Sequence, residues 1–177
     1  MENILSDVSK INTGDGLLVS GTTFLSKTIQ SFEKLKWSHA GLFLWDNDVL
    51  FVAEMVAKGL VLTDFKEYLK SNKDLLICKP DFIVTNEQVN DFVLPKLGHT
   101  RYGFFNLFIA QPIKFLTNYR IWLGSNDDTP NTFICGEFFE CFFNNLNSDL
   151  FPNWKRDSPL DIFNNKHFTH SLFKKQP

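Results

Sequence analysis

The sequence predicts an α+β fold whose sheet is mostly antiparallel. Strand-like runs concentrate in the first 80 residues, whereas helical patterns dominate the second half. Two of these runs, 38–46 and 49–57, are separated only by Asn47-Asp48, which is typical of a two-residue hairpin turn. The chain has 177 residues and is 44% hydrophobic, which is enough for one core. We therefore expect a single domain over residues 1–177.

The other strands and the first helix follow from local signals. A turn at 14–16 precedes a short strand at 17–20, and the apolar run 75–79 predicts a further strand. Thr22 or Thr23 can cap the first helix, because a hydroxyl accepts a hydrogen bond from the first-turn backbone.

Capping signals and apolar stripes predict the remaining helices. These helices are one opening at Thr63-Asp64, one from Thr85 (with Gln88) to about Gly98 with a kink near Pro95, one over 103–118, a buried one over 133–146 and a short one starting at Ser158-Pro159. The segment 124–131 is expected to be a surface loop. His167 and His170 are expected in a polar tail.

The composition indicates which kinds of partner and which cellular location to expect. The net charge is −2 with mixed signs, so we expect no nucleic-acid partner. No apolar run reaches the roughly 18 residues of a membrane span, and no export signal opens the chain. The odd, sparse set of three cysteines suits a reducing compartment, so a cytoplasmic location is expected. We expect neither a metal nor a cofactor; the oligomeric state is left open.

Cys135 is the strongest chemical signal in the chain. It lies at the N-terminal end of the predicted 133–146 helix. Unpaired N–H groups and the positive end of the helix dipole favour a thiolate at such a position. The backbone N–H of Cys135 could also contribute to an oxyanion hole. Cys78 and Cys141 are interpreted as core residues.

His39 and Glu54 are predicted to lie side by side on the hairpin. With Asn47-Asp48 as the turn, opposed residues pair so that Glu54 faces Gly41. His39 is then a diagonal neighbour of Glu54 on the same face, with Cα atoms about 7–8 Å apart. The space over Gly41 lets the carboxylate reach the imidazole, whose other nitrogen stays free for a thiol.

These residues predict a nucleophile, a base and an orienting acid, but each also fits a structural role. A cysteine before a Phe-rich helix is often core, and a histidine between small residues on a strand is often a satisfied core residue. Glu54 could point to solvent from an edge strand. An unpaired buried carboxylate would be costly, which favours the functional interpretation.

The ordered set of motifs resembles a known family. Gly14-Asp15, Ser38-His39-Ala40-Gly41, Glu54, Tyr102 and Cys135-Gly-Glu137 resemble the permuted papain-like amidases of the NlpC superfamily, the YaeF/YiiX group. The resemblance covers the chain from Gly14 to about Phe168. It implies a circularly permuted papain-like fold, with the histidine strand before the cysteine helix.

The resemblance also implies roles for individual residues. It makes Cys135 the nucleophile, His39 the base and Glu54 the third polar member, and it places Tyr102 near the oxyanion region. Gly136 stands where many relatives have serine, so we assign it with Tyr102 to the substrate-binding region. Asp15 is expected to fix a loop beside the site.

The leading hypothesis is a cysteine hydrolase that cleaves an amide bond in a peptide, an isopeptide or an N-acyl amino acid through an acyl-thioester. Its partner would be a small peptide-like or acyl substrate. A lipid acyl hydrolase or acyltransferase is an alternative, since the Phe-rich stretch 104–109 could line an acyl pocket. A binding module without turnover is the third possibility.

Overall fold

A computed structural model describes residues 3–21, 27, 30–31, 34–72, 74–102, 132–152 and 159–174. The strands are β1 (Asn3–Leu5), β2 (Gly16–Val19), β3 (His39–Asp46), β4 (Val49–Val56), β5 (Gly59–Asp64), β6 (Leu75–Pro80), β7 (Arg101–Tyr102), β8 (Thr132–Phe133) and β9 (Phe168–Phe173). The α-helices are α1 (Phe65–Ser71), α2 (Asn86–Val93), α3 (Cys135–Leu146) and α4 (Pro159–Asn164).

Seven of the strands form one sheet in the order β1-β9-β6-β2-β3-β4-β5. Only the β1–β9 pair is parallel in this sheet, and every other pairing is antiparallel. Strands β7 and β8 form a separate parallel pair. The described residues therefore confirm an α+β fold with a mostly antiparallel sheet.

The β3–β4 hairpin has the predicted register. Asn47 and Asp48 form the turn with φ angles of 45° and 65°, the left-handed conformation that such a tight turn requires. Asp46 pairs with Val49, and Gly41 pairs with Glu54. The hairpin prediction is confirmed, and with it the placement of Glu54 on the same face as residue 39.

Capping signals placed the helix starts correctly. The Asp64 carboxylate accepts a hydrogen bond from the backbone N–H of Lys66 and caps α1. Both arms of the Thr85–Gln88 capping box are present at the start of α2. Pro95 lies in the 3-10 turn that follows α2, where its ring ends the α-helical hydrogen bonding.

Five of the described strands were not predicted: β1, β5, β7, β8 and β9. Three of them, β1, β7 and β8, are only two or three residues long, which is too short to leave a pattern in the sequence. The assignment of His170 to a polar tail is wrong, because it lies in β9 opposite Cys78 of β6. The apolar pattern of β9 is interrupted by three polar residues, Thr169, His170 and Ser171. The strand is stabilised by backbone pairing with β1 on one side and β6 on the other, which the local sequence does not indicate.

The sheet is buried on both faces. One core cluster joins Ala40, Leu42 and Leu44 of β3 to the phenylalanines of α3. The other joins Phe43 of β3 to Phe65 of α1 on the opposite face. Because side chains alternate along a strand, neighbouring residues of β3 belong to different cores.

Some predictions fall outside the described residues. These are most of the first helix after Thr22 or Thr23, the helix over 103–118, the loop over 124–131 and the start of the last helix at Ser158. Among the helices that are described, none has the length and apolar character needed to cross a membrane.

Candidate active site

Cys135 lies at the start of its helix, as predicted, but the helix begins at Cys135 and not at the predicted residue 133, because Phe133 belongs to β8. The carboxylate of Glu137 accepts a hydrogen bond of 2.9 Å from the backbone N–H of Ile134, the residue that caps the helix. The carbonyl of Ile134 accepts the first helical hydrogen bond, from Phe138 N–H at 3.0 Å. These two bonds fix the point at which the helix begins. Cys135 and Gly136 therefore lie in the first turn, where backbone N–H groups have no partner within the helix.

The two-stranded β7–β8 sheet leads directly into this helix. Tyr102 pairs with Phe133, two residues before Cys135. Thr100, just before β7, is buried, and its hydroxyl accepts the N–H of Leu60 at 3.2 Å. The backbone at Tyr102 is thereby tied to β5 on one side and to the segment preceding α3 on the other. The side chain of Tyr102 lies outside the described residues.

His39 and Glu54 form a short hydrogen bond across the hairpin. The Nε2 atom of His39 lies 2.6 Å from Oε2 of Glu54. The side chains are 21% and 10% exposed respectively, so the pair is largely shielded and the ring keeps some access to solvent. A charged pair in such surroundings is held much more strongly than one at the surface.

Tyr68 is a further member of the cluster that the sequence analysis missed. Its hydroxyl donates to the same Oε2 atom of Glu54 at 3.1 Å, and the residue is buried. The available signal was the spacing of Phe65 and Tyr68 after the Asp64 cap, which places both on the same face of a short helix. That spacing indicates a buried face but does not identify its partner on the sheet.

Cys135 is close enough to His39 to influence its ionisation. Burial disfavours the charged ring, but the negative charge and hydrogen bonding of the Cys135 side chain, followed by those of Glu54, raise the pKa of His39 to about 10. Since Nε2 of His39 is engaged with Glu54, Nδ1 is the ring nitrogen left for the sulfur. The arrangement is a chain of Glu54, His39 and Cys135.

The pair meets where two elements begin. By strand alternation, His39 and Glu54 belong to the sheet face of Phe43, on which α1 packs, whereas α3 packs against the opposite face. His39 is the first residue of β3, and Cys135 is the first residue of α3. His39 and Cys135 can therefore approach each other only at the ends of β3 and α3.

Two other cysteines provide a contrast. Cys78 and Cys141 are buried in the same core as Cys135. Burial, reinforced by the charge of Asp15, raises the pKa of Cys78 far above its ordinary value, so this thiol stays protonated. The Cys141 sulfur accepts a weak hydrogen bond from the Asn145 side chain at 3.9 Å. Their interpretation as core residues is confirmed.

Asp15 fixes a turn, but away from the cluster. Its carboxylate accepts a hydrogen bond from the N–H of Asn12 at 2.9 Å, as a turn aspartate should. Its backbone carbonyl accepts from Phe43 N–H, four residues along β3 from His39. The expectation that Asp15 lies beside the active-site residues is therefore wrong, because the antiparallel β2–β3 register places it toward the other end of β3.

The fold and the cluster of Glu54, His39 and Cys135 together describe an α+β protein. In it, the folding of the chain brings a carboxylate, an imidazole and a thiol together at the start of a helix. A comparison with protein-family models found no match, and a comparison with curated proteins found none either. Among solved structures, the fold is similar to that of metalloprotein yiiX from Escherichia coli O157:H7, DUF1105, with a TM-score of 0.59 and 16% identity. The similarity covers 95% of this chain and 99% of that one. The similarity in fold to that protein therefore covers nearly the whole chain.

Proposed function

We propose that this protein is a cysteine hydrolase with a permuted papain-like fold of the NlpC superfamily. Cys135 acts as the nucleophile, His39 as the base and then the acid, and Glu54 as the group that orients the ring. The observation that carries the proposal is the 2.6 Å hydrogen bond between Glu54 and His39, together with the influence of Cys135 on the pKa of the same ring. A thiol, a base and an orienting group within mutual reach are what nucleophilic catalysis requires.

The charge of His39 prepares the site for nucleophilic attack. A His39 pKa of about 10 keeps the ring protonated at neutral pH, so a positive charge faces the Cys135 sulfur, and in the proposed reaction the cysteine acts as its thiolate. The thiolate is the nucleophilic form of cysteine. It would attack the amide carbonyl carbon, and the carbonyl electrons would move to oxygen in a tetrahedral intermediate.

The imidazolium then supplies the proton that the leaving group needs. When the carbon–nitrogen bond breaks, His39 donates its proton to the departing amine, and an acyl-thioester forms on Cys135. The neutral ring next removes a proton from water, which attacks the thioester and releases the acid. The Glu54 carboxylate, 2.6 Å from Nε2 of His39, stabilises the charged form of the ring each time it appears in the reaction. The same hydrogen bond prevents the ring from rotating.

The first turn of α3 can stabilise the oxyanion. The N–H groups of Cys135 and Gly136 belong to the set that a helix leaves without internal partners. Negative charge on the carbonyl oxygen develops close to the sulfur, so donors on these residues are suitably placed. Gly136 contributes no side chain to this turn. Tyr102 is the residue that the family resemblance adds to this region.

The structural neighbour is described as a metalloprotein, but the residues that the structure describes in this chain do not fit a metal centre. Within the described part of this chain, no three His, Cys, Asp or Glu side chains converge as metal ligands. In the candidate site, one ring nitrogen of His39 is hydrogen-bonded to Glu54, and Cys135 helps to raise the pKa of the same ring. No step of the proposed reaction is routed through a metal.

Selective alkylation tests the proposal and contains its own control. Cys135, Cys78 and Cys141 are 4%, 0% and 9% exposed, so exposure does not favour Cys135 over Cys141. Iodoacetamide at mildly acidic pH should modify Cys135 first, because its sulfur is coupled to the protonated ring of His39. Peptide mapping by mass spectrometry would measure the three rates. Equal rates, or a Cys135 rate unaffected by His39→Ala, would contradict the proposal.

Trapping an acyl group would define the substrate class. Incubation with a mixture of N-acyl amides and acyl esters should add acyl mass to Cys135 and not to the Cys135→Ala variant. Adducts from amides support the amidase, whereas adducts from lipid esters alone would favour a lipid acyl hydrolase or acyltransferase. A reactive Cys135 that gives no adduct with either class would favour a binding module.

A further inference from the structure

We propose that Tyr68 is a positioning residue of this site: its hydroxyl holds the Glu54 carboxylate in the orientation that keeps His39 directed at Cys135. The inference deepens the proposed function and depends on it. Tyr68 was not part of the predicted site, and it acts through Glu54 without taking part in bond making.

The geometry rests on one shared atom. Oε2 of Glu54 accepts from His39 Nε2 at 2.6 Å and from Tyr68 OH at 3.1 Å. A carboxylate oxygen can accept both bonds because it has two lone pairs. With His39 as its single donor, the carboxylate could still rotate about that bond. A second donor on a different element removes this freedom.

Helix α1 holds the phenol in place. The Asp64 cap fixes the start of the helix, and Phe65 packs edge-on against Phe43 and Phe173 with ring centroids 5.1 and 5.3 Å away. Tyr68 is 4% exposed and lies in the same core cluster. The Tyr68 hydroxyl is therefore in place before any substrate binds. It can hold Glu54 without the free-energy cost of reorganising the site during the reaction.

The hydroxyl remains a donor throughout the useful pH range. Burial, followed by the charge and hydrogen bonding of Glu54 and the charge of Cys135, raises the pKa of Tyr68 far above its ordinary value. Tyr68 thus keeps its proton and cannot serve as a base. A donor of fixed protonation that faces an ionised carboxylate favours the charged form of that carboxylate.

The variant Tyr68→Phe removes only the hydroxyl, and the pH profile of Cys135 alkylation is the readout. Without the phenol, the ionised Glu54 is less stabilised and less well oriented. As the pH is lowered, the imidazolium–thiolate pair should therefore be lost at a higher pH than in the wild type. The acidic midpoint of iodoacetamide reactivity should rise by about one pH unit, because a hydrogen bond to a charged group has about that effect. The rate below this midpoint should fall about tenfold.

Thr13→Val is the matched control. The hydroxyl of Thr13 accepts the N–H of Trp45 at 2.9 Å, is also buried and lies toward the other end of β3. Its loss should lower the free energy of unfolding but leave the alkylation profile unchanged. Circular dichroism and thermal melting would establish that both variants are folded.

Three outcomes separate the two proposals. A shifted profile in Tyr68→Phe alone supports the positioning role. A wild-type profile in folded Tyr68→Phe overturns that role and leaves the proposed hydrolase intact. If wild-type Cys135 shows no preferential, His39-dependent reactivity, the proposed function fails, and the positioning role fails with it.

Discussion

Glu54 reaches His39 across the space that Gly41 leaves open. Gly41 is directly opposite Glu54 on the neighbouring strand, and His39 is two residues further along the same face. A Cβ atom on residue 41 would lie 3.5 Å from the Glu54 Cβ and 3.1 Å from the Ala53 carbonyl oxygen. The carboxylate can lean diagonally toward the ring because no side chain at position 41 is in its way.

Activity should require the negative charge of Glu54 and not only the size and shape of its side chain. Glu54→Gln keeps the size of the side chain but removes a negative charge that helps to raise the pKa of His39. We expect activity, or Cys135 alkylation at mildly acidic pH, to fall about 10- to 100-fold, the usual effect of losing a charged hydrogen bond. Glu67→Gln is the control, since Glu67 is exposed and pairs with Lys70 on α1. Equal rates in the two variants would remove Glu54 from the site.

The sulfur should control the ionisation of His39. Cys135 contributes more than Glu54 to raising the pKa of His39, while burial opposes both. In Cys135→Ala the pKa of His39 should therefore fall below the value of about 10 in the wild type. Titration of the imidazole carbon-bound protons by NMR measures this directly. Cys141→Ala removes another buried thiol from α3 and should leave the titration of His39 unchanged; an equal shift in both variants would point to a general loosening of the core.

The site residues that the sequence predicted are those with strong local signals. The two-residue turn at Asn47-Asp48 fixes the β3–β4 register, and the register brings Glu54 next to His39. Cys135 was identifiable because it lies at the N-terminal end of an apolar pattern that is long and helical. In both cases the information lies within a few residues of the feature it determines.

The parts that were missed depend on contacts distant in sequence. Tyr68 reaches Glu54 only because α1 folds back over the sheet, which no local pattern specifies. The meeting of His39 and Cys135 at the ends of elements on opposite faces also depends on packing. Strand β9 has a polar centre around His170, so its place between β1 and β6 comes from pairing on both sides.

Asp15 should make stability depend on pH in the direction expected of a buried carboxylate, although its Oδ2 lies 3.5 Å from the ammonium of Lys79. Burial raises the pKa of Asp15, although the N–H of Asn12 and the ammonium of Lys79 oppose the shift. The unfolded chain releases this proton near pH 3.9, the ordinary value for aspartate, whereas the folded protein retains it to higher pH. Between these two values the folded state binds more protons, so the free energy of unfolding falls as the pH rises.

Asp15→Asn isolates this contribution, because the amide keeps an acceptor oxygen for Asn12 and cannot ionise. The stability of the wild type minus that of the variant should decrease from about pH 3.9 upward, by at most about 1.4 kcal/mol per pH unit, and level off above the folded-state pKa. Urea unfolding between about pH 3.5 and 7 measures the difference at each pH. Asp91→Asn, on an exposed position of α2, controls for the loss of a carboxylate as such. A difference that grows with pH would mean that Lys79 and Asn12 outweigh burial, and that Asp15 is held in the turn as a stabilised anion.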